Sequence, residues 1–141
     1  MQSSETTTVL VVEDTDNVRH IVARILTEAG YLVLTASRGL EALDLGGQTG
    51  WTLDLALVDL GLGVENGAVL AEVLQRLQPG LPVMFMSGDL LVGGLDELPG
   101  PVLLKPFRPD VLTECVREYL ATGTCGGCTT PSRIQRRAGN E

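Results

Sequence analysis

The chain predicts a single α/β domain on a doubly wound, five-stranded parallel sheet with helices on both faces, and three observations carry that prediction. Short apolar runs of strand length alternate with stretches of helical periodicity along most of the sequence. Alternation of this kind, with helices long enough to cross over, makes right-handed βαβ units and therefore a parallel sheet. Finally, 141 residues, 44% hydrophobic and 20% charged, suit one packed domain and neither disorder nor a coiled coil.

Residues 8–13 (TVLVVE) are β-branched and apolar up to a terminal acid, which reads as a buried first strand. Over residues 15–29 the positions Val18, Ile21, Val22, Ile25, Leu26 and Ala29 repeat at helical spacing, with Asp14 or Asp16 available as a cap and Gly30 as the C′ glycine. Residues 31–36 give a second strand and residues 38–45 a shorter helix, left through Gly46, Gly47 and Gly50. Strand three, residues 53–59 (LDLALVD), is the most apolar and runs into Asp59. After the loop LGLGVE, Asn66 can cap a helix whose stripe is Val69, Leu70, Val73, Leu74 and Leu77, ended by Pro79 and Gly80. Residues 82–86 (PVMFM) form strand four, and the glycine-interrupted stretch that follows leaves room for a short helix only. Residues 102–104 form strand five, and Pro109 stands at N1 of a last helix burying Val111, Leu112, Cys115, Val116, Tyr119 and Leu120. Five strands thus alternate with about five helices. From residue 121 onward the periodicity vanishes into small polar residues, glycine and arginine, as in a flexible tail.

Charge and chain ends narrow the function classes. A net charge of -8 repels phosphate backbones and anionic lipid, which argues against direct nucleic-acid or membrane contact. The opening MQSSETTT has neither a basic segment nor an apolar one, no run reaches the ~20 residues of a bilayer span, and a cytoplasmic protein is expected. Three cysteines, Cys115, Cys125 and Cys128, make no disulfide framework, so a reducing compartment fits.

In an open parallel sheet the ligand site lies beyond the carboxyl ends of the strands. Here strand one ends in Glu13-Asp14, strand three in Asp59, strand four in Ser87, and strand five in Lys105, the single lysine of the chain. Singly each has an ordinary reading, as a helix cap, a turn cap or a solvated charge. Asp59 resists it, because a carboxylate ending a central apolar strand is desolvated unless a cation or donors meet it. Clustered carboxylates suit a hard ion such as Mg²⁺. An aspartate can form an acyl phosphate while a lysine and a hydroxyl hold the phosphoryl oxygens, so the rim reads as a phosphoryl-accepting site.

These residues resemble the receiver domain of two-component response regulators and hybrid histidine kinases. In that family an acidic pair follows strand one, the phosphoacceptor aspartate ends strand three, Ser or Thr ends strand four and Lys-Pro follows strand five, matched here by Glu13-Asp14, Asp59, Ser87 and Lys105-Pro106-Phe107. Asn66-Gly67 and the run LPVMFMSG add to the match. The resemblance covers roughly residues 9–120 and divides the chain into a flexible N-terminus 1–7, a receiver domain 8–121 and a flexible tail 122–141. It implies the flavodoxin-like strand order 2-1-3-4-5, a cis peptide before Pro106, and a domain that phosphorylates and dephosphorylates itself rather than a turnover enzyme. Asp59, Lys105 and Ser87 would be its catalytic residues, and Glu13, Asp14, Asp59 and the Gly61 carbonyl would hold Mg²⁺. Its partners would be a histidine kinase or histidine phosphotransfer protein and a downstream protein that the sequence does not identify.

Four departures from the family pattern stand out. Glu13 replaces the commoner Asp, Gly61 offers no side chain, and Gly63 stands where proline is usual; phosphorylation is expected to survive these. The fourth is Val102 at the usual Tyr or Phe position, with a segment from Ser87 to Lys105 several residues short, and here altered output coupling is expected. Two alternatives stay open: a degenerate receiver that only docks, against which the intact Asp59, Ser87 and Lys105 argue, and a haloacid-dehalogenase-like phosphatase, whose second aspartate is replaced by Gly61. Cys125-Gly126-Gly127-Cys128 is a lone CxxC and a weak zinc or redox signal, Cys115 reads as core, and His20 reads as surface.

Overall fold

The computed structural model describes residues 6–47, 52–62, 65–88 and 98–124. In chain order the elements are β1 (Thr8–Val12), α1 (Asp16–Glu28), β2 (Leu32–Ala36), α2 (Gly39–Gly47), β3 (Leu55–Asp59), β4 (Gly61–Leu62), β5 (Glu65–Asn66), α3 (Gly67–Leu77), β6 (Val83–Ser87), β7 (Val102–Leu104) and α4 (Pro109–Thr122). The main sheet is parallel throughout with order β2-β1-β3-β6-β7, which is the expected 2-1-3-4-5 once the two-residue strands are set aside.

Strand side chains alternate between the two sheet faces, and this alternation divides the core in two. Leu10, Val12, Ala56, Val58, Val83, Phe85 and Val102 face one way and pack with Ala42 of α2 and Leu70, Ala71 and Leu74 of α3. Val9, Val11, Leu55, Leu57, Met84, Met86 and Leu103 face the other and pack with Val22 and Leu26 of α1 and Leu112, Cys115 and Val116 of α4. Each large apolar side chain fully buried this way contributes roughly 1.5–3 kcal/mol, so the sheet faces, more than local propensity, hold the helices in place.

Local signals in the sequence mark several element ends. Gly30 has φ +105°, a left-handed C′ glycine after α1, and Pro109 opens α4. The Asn66 side chain accepts from the Ala68 and Val69 amides at 2.8 and 3.4 Å, capping α3. Cys115 is buried and His20 exposed, as expected. The Lys105–Pro106 peptide is cis.

Other expectations need correction. The N-cap of α1 is Thr15, with no side-chain cap bond, rather than Asp14 or Asp16. The stretch expected to be loop contains an antiparallel pairing of β4 with β5, with Gly61 opposite Asn66 and Leu62 opposite Glu65. The fourth main strand runs one residue further than expected, taking in Ser87, and α2 covers Gly39–Gly47 rather than 38–45. Helical stripes proved narrower than their periodicity: only Val22 and Leu26 of the α1 stripe are buried, with Ile21 57% exposed, and Val69 and Leu77 of α3 are exposed while Ala71 is buried. Among the described residues four helices cover the sheet, against about five expected. The stretch running to Gly100 that leaves room for the remaining short helix lies outside the described residues over 89–97, as does the CxxC at 125–128. No helix among the described residues is long and apolar enough to cross a membrane.

Candidate functional site

The strand-end residues converge because the alternation that builds the core continues one step past it. Glu13 follows Val9 and Val11, Asp59 follows Leu55 and Leu57, and Lys105 follows Leu103, so all three continue the face that α1 and α4 cover. Backbone bonds extend the ladder that far: the Glu13 amide donates to the Ala36 carbonyl at 3.1 Å and the Lys105 amide to the Ser87 carbonyl at 2.8 Å. As a result Lys105 Nζ lies 3.0 Å from Glu13 Oε1 and 3.3 Å from Asp59 Oδ1.

Burial makes these contacts consequential. Glu13 is fully buried and Asp59 is 4% exposed, whereas Asp14, one residue on in the turn, is exposed. Carboxylate oxygens of Glu13, Asp14 and Asp59 all lie within 4.8 Å of one another. Burial pushes the Glu13 carboxyl above its ordinary value and the Asp59 charge adds to this, outweighing the Lys105 and Thr15 N–H donors that favour the carboxylate. For Lys105, burial alone would lower the ammonium, but the Glu13 hydrogen bond and the charges of Asp59 and Glu13 overcome it and hold the group above its ordinary value. Positive charge is therefore in short supply at this rim.

A cavity of about 360 Å³ opens above the cluster, lined by Asp14, Thr15, Asp59, Gly61, Ser87 and Lys105 among others. Glu13 does not line it; that carboxylate lies beneath, held by Lys105 and by the Thr15 amide at 3.2 Å. The Gly61 amide donates to Asp59 Oδ1 at 3.2 Å, which orients the carboxylate from the β4 side. The five residues singled out at the strand ends, and Gly61 with them, are thus gathered in one place.

Two contributors were missed. Arg19, one turn into α1, donates to the Glu13 carbonyl at 3.0 Å and to Asp16 Oδ1 at 2.6 Å. Its i,i+3 spacing from Asp16 was the available signal. Gly67 packs its backbone against Asp59, close enough that a Cβ there would lie 2.5 Å from the Asp59 carbonyl oxygen. Only the Asn66-Gly67 pair hinted at it.

The family model of the response regulator receiver domain matches residues 9–117. The chain belongs to that family. Among its relatives, the sensor kinase CckA of Brucella abortus is 33% identical over 121 residues, covering 83% of this chain and 13% of the kinase. The chain spans about half the length of other curated relatives, among them the Escherichia coli transcriptional regulatory proteins CreB and CusR. A receiver domain protein from Methanospirillum hungatei superposes with TM-score 0.75 at 26% identity, covering 83% of this chain and 95% of that one. A Burkholderia pseudomallei response regulator, solved with a phosphorylated aspartic acid, a calcium ion and citrate, gives TM-score 0.71 at 25% identity over 95% of this chain and 74% of its own.

As a receiver, the chain carries the acidic pocket typical of the family's Mg²⁺ site. The donor set fits that ion: three carboxylates, all hard oxygen donors, gathered where one ammonium is left to balance them. Membership also replaces the phosphatase alternative, and a receiver implies a histidine kinase as partner.

Proposed function

We propose that this receiver takes a phosphoryl group from a histidine kinase or histidine phosphotransfer protein onto Asp59 and, through the resulting change at Ser87, alters its contacts with a downstream protein. One observation carries the assignment. Asp59 is the buried carboxylate that both reaches the cavity and shares it with an ammonium and a hydroxyl, whereas Glu13 lies beneath the cavity and Asp14 is exposed at its edge.

In the step itself an Asp59 oxygen attacks phosphorus, the donor's P–N bond breaks, and the departing imidazole takes up a proton, leaving an acyl phosphate. Lys105 lies against Asp59 and can neutralise a phosphoryl oxygen, and the Ser87 hydroxyl can donate to another. Glu13, Asp14, Asp59 and the Gly61 carbonyl would hold Mg²⁺, which when bound offsets the charge of donor and acceptor alike. Hydrolysis reverses the modification: water attacks phosphorus, the acyl P–O bond breaks, and inorganic phosphate leaves. On this reading the domain works in the cytoplasm.

Incubation with acetyl phosphate, with and without Mg²⁺, tests the assignment by intact mass. An adduct of about 80 Da is expected on the wild type with Mg²⁺ and not on Asp59→Asn. An undiminished adduct on Asp59→Asn would move the acceptor elsewhere.

A further inference from the structure

We propose that Arg19 is a positioning residue for Mg²⁺, setting the turn that presents Glu13 and Asp14 without itself touching the ion or the phosphoryl group. This rests on the metal-site reading above. The turn from Glu13 to Thr15 supplies two of the three carboxylates, and one of them, Asp14, is exposed, so its direction is a property of the turn's backbone. The usual means of fixing such a turn is missing: Thr15 is the N-cap of α1 and makes no side-chain cap bond.

Arg19 does that work from inside the helix. One arm of its guanidinium donates to the Glu13 carbonyl at 3.0 Å and the other to Asp16 Oδ1 at 2.6 Å, so the fork spans the residues on either side of Asp14 and Thr15. Its side chain is 13% exposed while that of Asp16 is 76% exposed, which makes the arginine the anchored member and the Glu13 carbonyl its sheltered acceptor. A rigid, planar fork holds two acceptors at once in a way that a lysine ammonium does not. Residues of this kind, holding metal ligands from behind, typically matter about tenfold or more for metal affinity.

The sign of the effect separates positioning from simple charge. Like charges repel, so by charge alone removal of the guanidinium tightens Mg²⁺ binding or leaves it unchanged; a positioning role requires that removal weaken it. Mg²⁺ is titrated calorimetrically into the wild type, Arg19→Met and Arg19→Lys, with melting in EDTA measured in parallel. Expected are a dissociation constant raised about tenfold in Arg19→Met and a smaller rise in Arg19→Lys, which keeps the charge but loses the fork. Arg19→Met binding Mg²⁺ as tightly as the wild type, or more tightly, overturns the proposal whatever its melting temperature. If Arg19→Met does not fold, Arg19→Lys decides: unchanged affinity overturns the proposal, and weakening at constant charge supports it. A wild type that binds no Mg²⁺ overturns the metal-site reading itself, and this inference with it.

Discussion

Among the described residues Lys105 is the cation paired with two buried carboxylates, and replacing it with methionine, which keeps most of the apolar stem, exposes what that charge contributes. Its contacts at 3.0 Å with Glu13 and 3.3 Å with Asp59 each correspond to a gross attraction of roughly 5 kcal/mol at an effective dielectric of ~20. Most of that is offset by the solvation that buried groups give up, and the lysine side chain is 25% exposed, which screens the remainder. Breaking a buried pair by removing one partner typically destabilises by about 3–5 kcal/mol. With that discount, and because Glu13 can take up a proton once its partner is gone, we expect a loss of about 2–3 kcal/mol in EDTA near neutral pH. For a domain of this size that lowers the melting temperature by roughly 10 °C.

Mg²⁺ then supplies a discriminating arm. A divalent ion among Glu13, Asp14 and Asp59 replaces the missing charge, so the deficit of Lys105→Met should shrink at saturating Mg²⁺, and the ion should raise the variant's melting temperature more than the wild type's. Thermal melts of both proteins in EDTA and in Mg²⁺ are sufficient. Equal deficits in the two conditions would show that the ion and the ammonium do not answer the same carboxylates. No deficit in EDTA would show that the lysine is a solvated strand-end charge after all.

Gly67→Ala places a Cβ 2.5 Å from the Asp59 carbonyl oxygen and 3.1 Å from the Leu60 Cα, backbone atoms with no flexible end to give way; we expect a loss of about 1–3 kcal/mol in urea unfolding and slower acetyl-phosphate labelling, and stability within about 0.5 kcal/mol of wild type would refute the packing argument. The Glu13 carboxyl is raised above its ordinary value of 4.5, so the folded chain binds its proton more tightly than the unfolded one. Its contribution to stability is therefore full below that value and is lost as pH rises through the raised one; metal-free melts should decline across this window, Glu13→Gln should lack that part of the slope, and an identical slope in the variant would refute the assignment.

Strand order and the residues of the rim were legible because parallel-sheet topology leaves little choice. Apolar runs bounded by glycine and proline mark the strands, and a polar residue ending such a run has only the carboxyl rim to occupy. Helix burial was legible only in part. Apolar residues at helical spacing define a broad face, but a helix laid on a flat sheet buries a narrower strip, and neighbouring helices decide which edge of the face is covered. Ile21 thus stands exposed beside Phe107, and Val69 beside Leu40 of the neighbouring α2. The pairing of β4 and β5 left no mark, since two residues per strand are too few for any period to show.

Strand parity accounts for which side chains of the site share a face. Counting by twos from the buried core assigns Glu13, Asp59 and Lys105 to one face, and Ser87, which continues Val83 and Phe85, to the other. The same count puts Val102 on the face of Ser87, fully buried in the register opposite Phe85. Val102 thus lies two residues before Leu104, the register partner of Ser87, and valine has a single stiff χ1 and no ring to turn. Val102 is already packed into the α2–α3 side of the core. The carboxylates and the ammonium of the rim therefore belong to one parity of the strands, and Ser87 and Val102 to the other, so Val102 can depart from the family pattern without disturbing Glu13, Asp59 or Lys105.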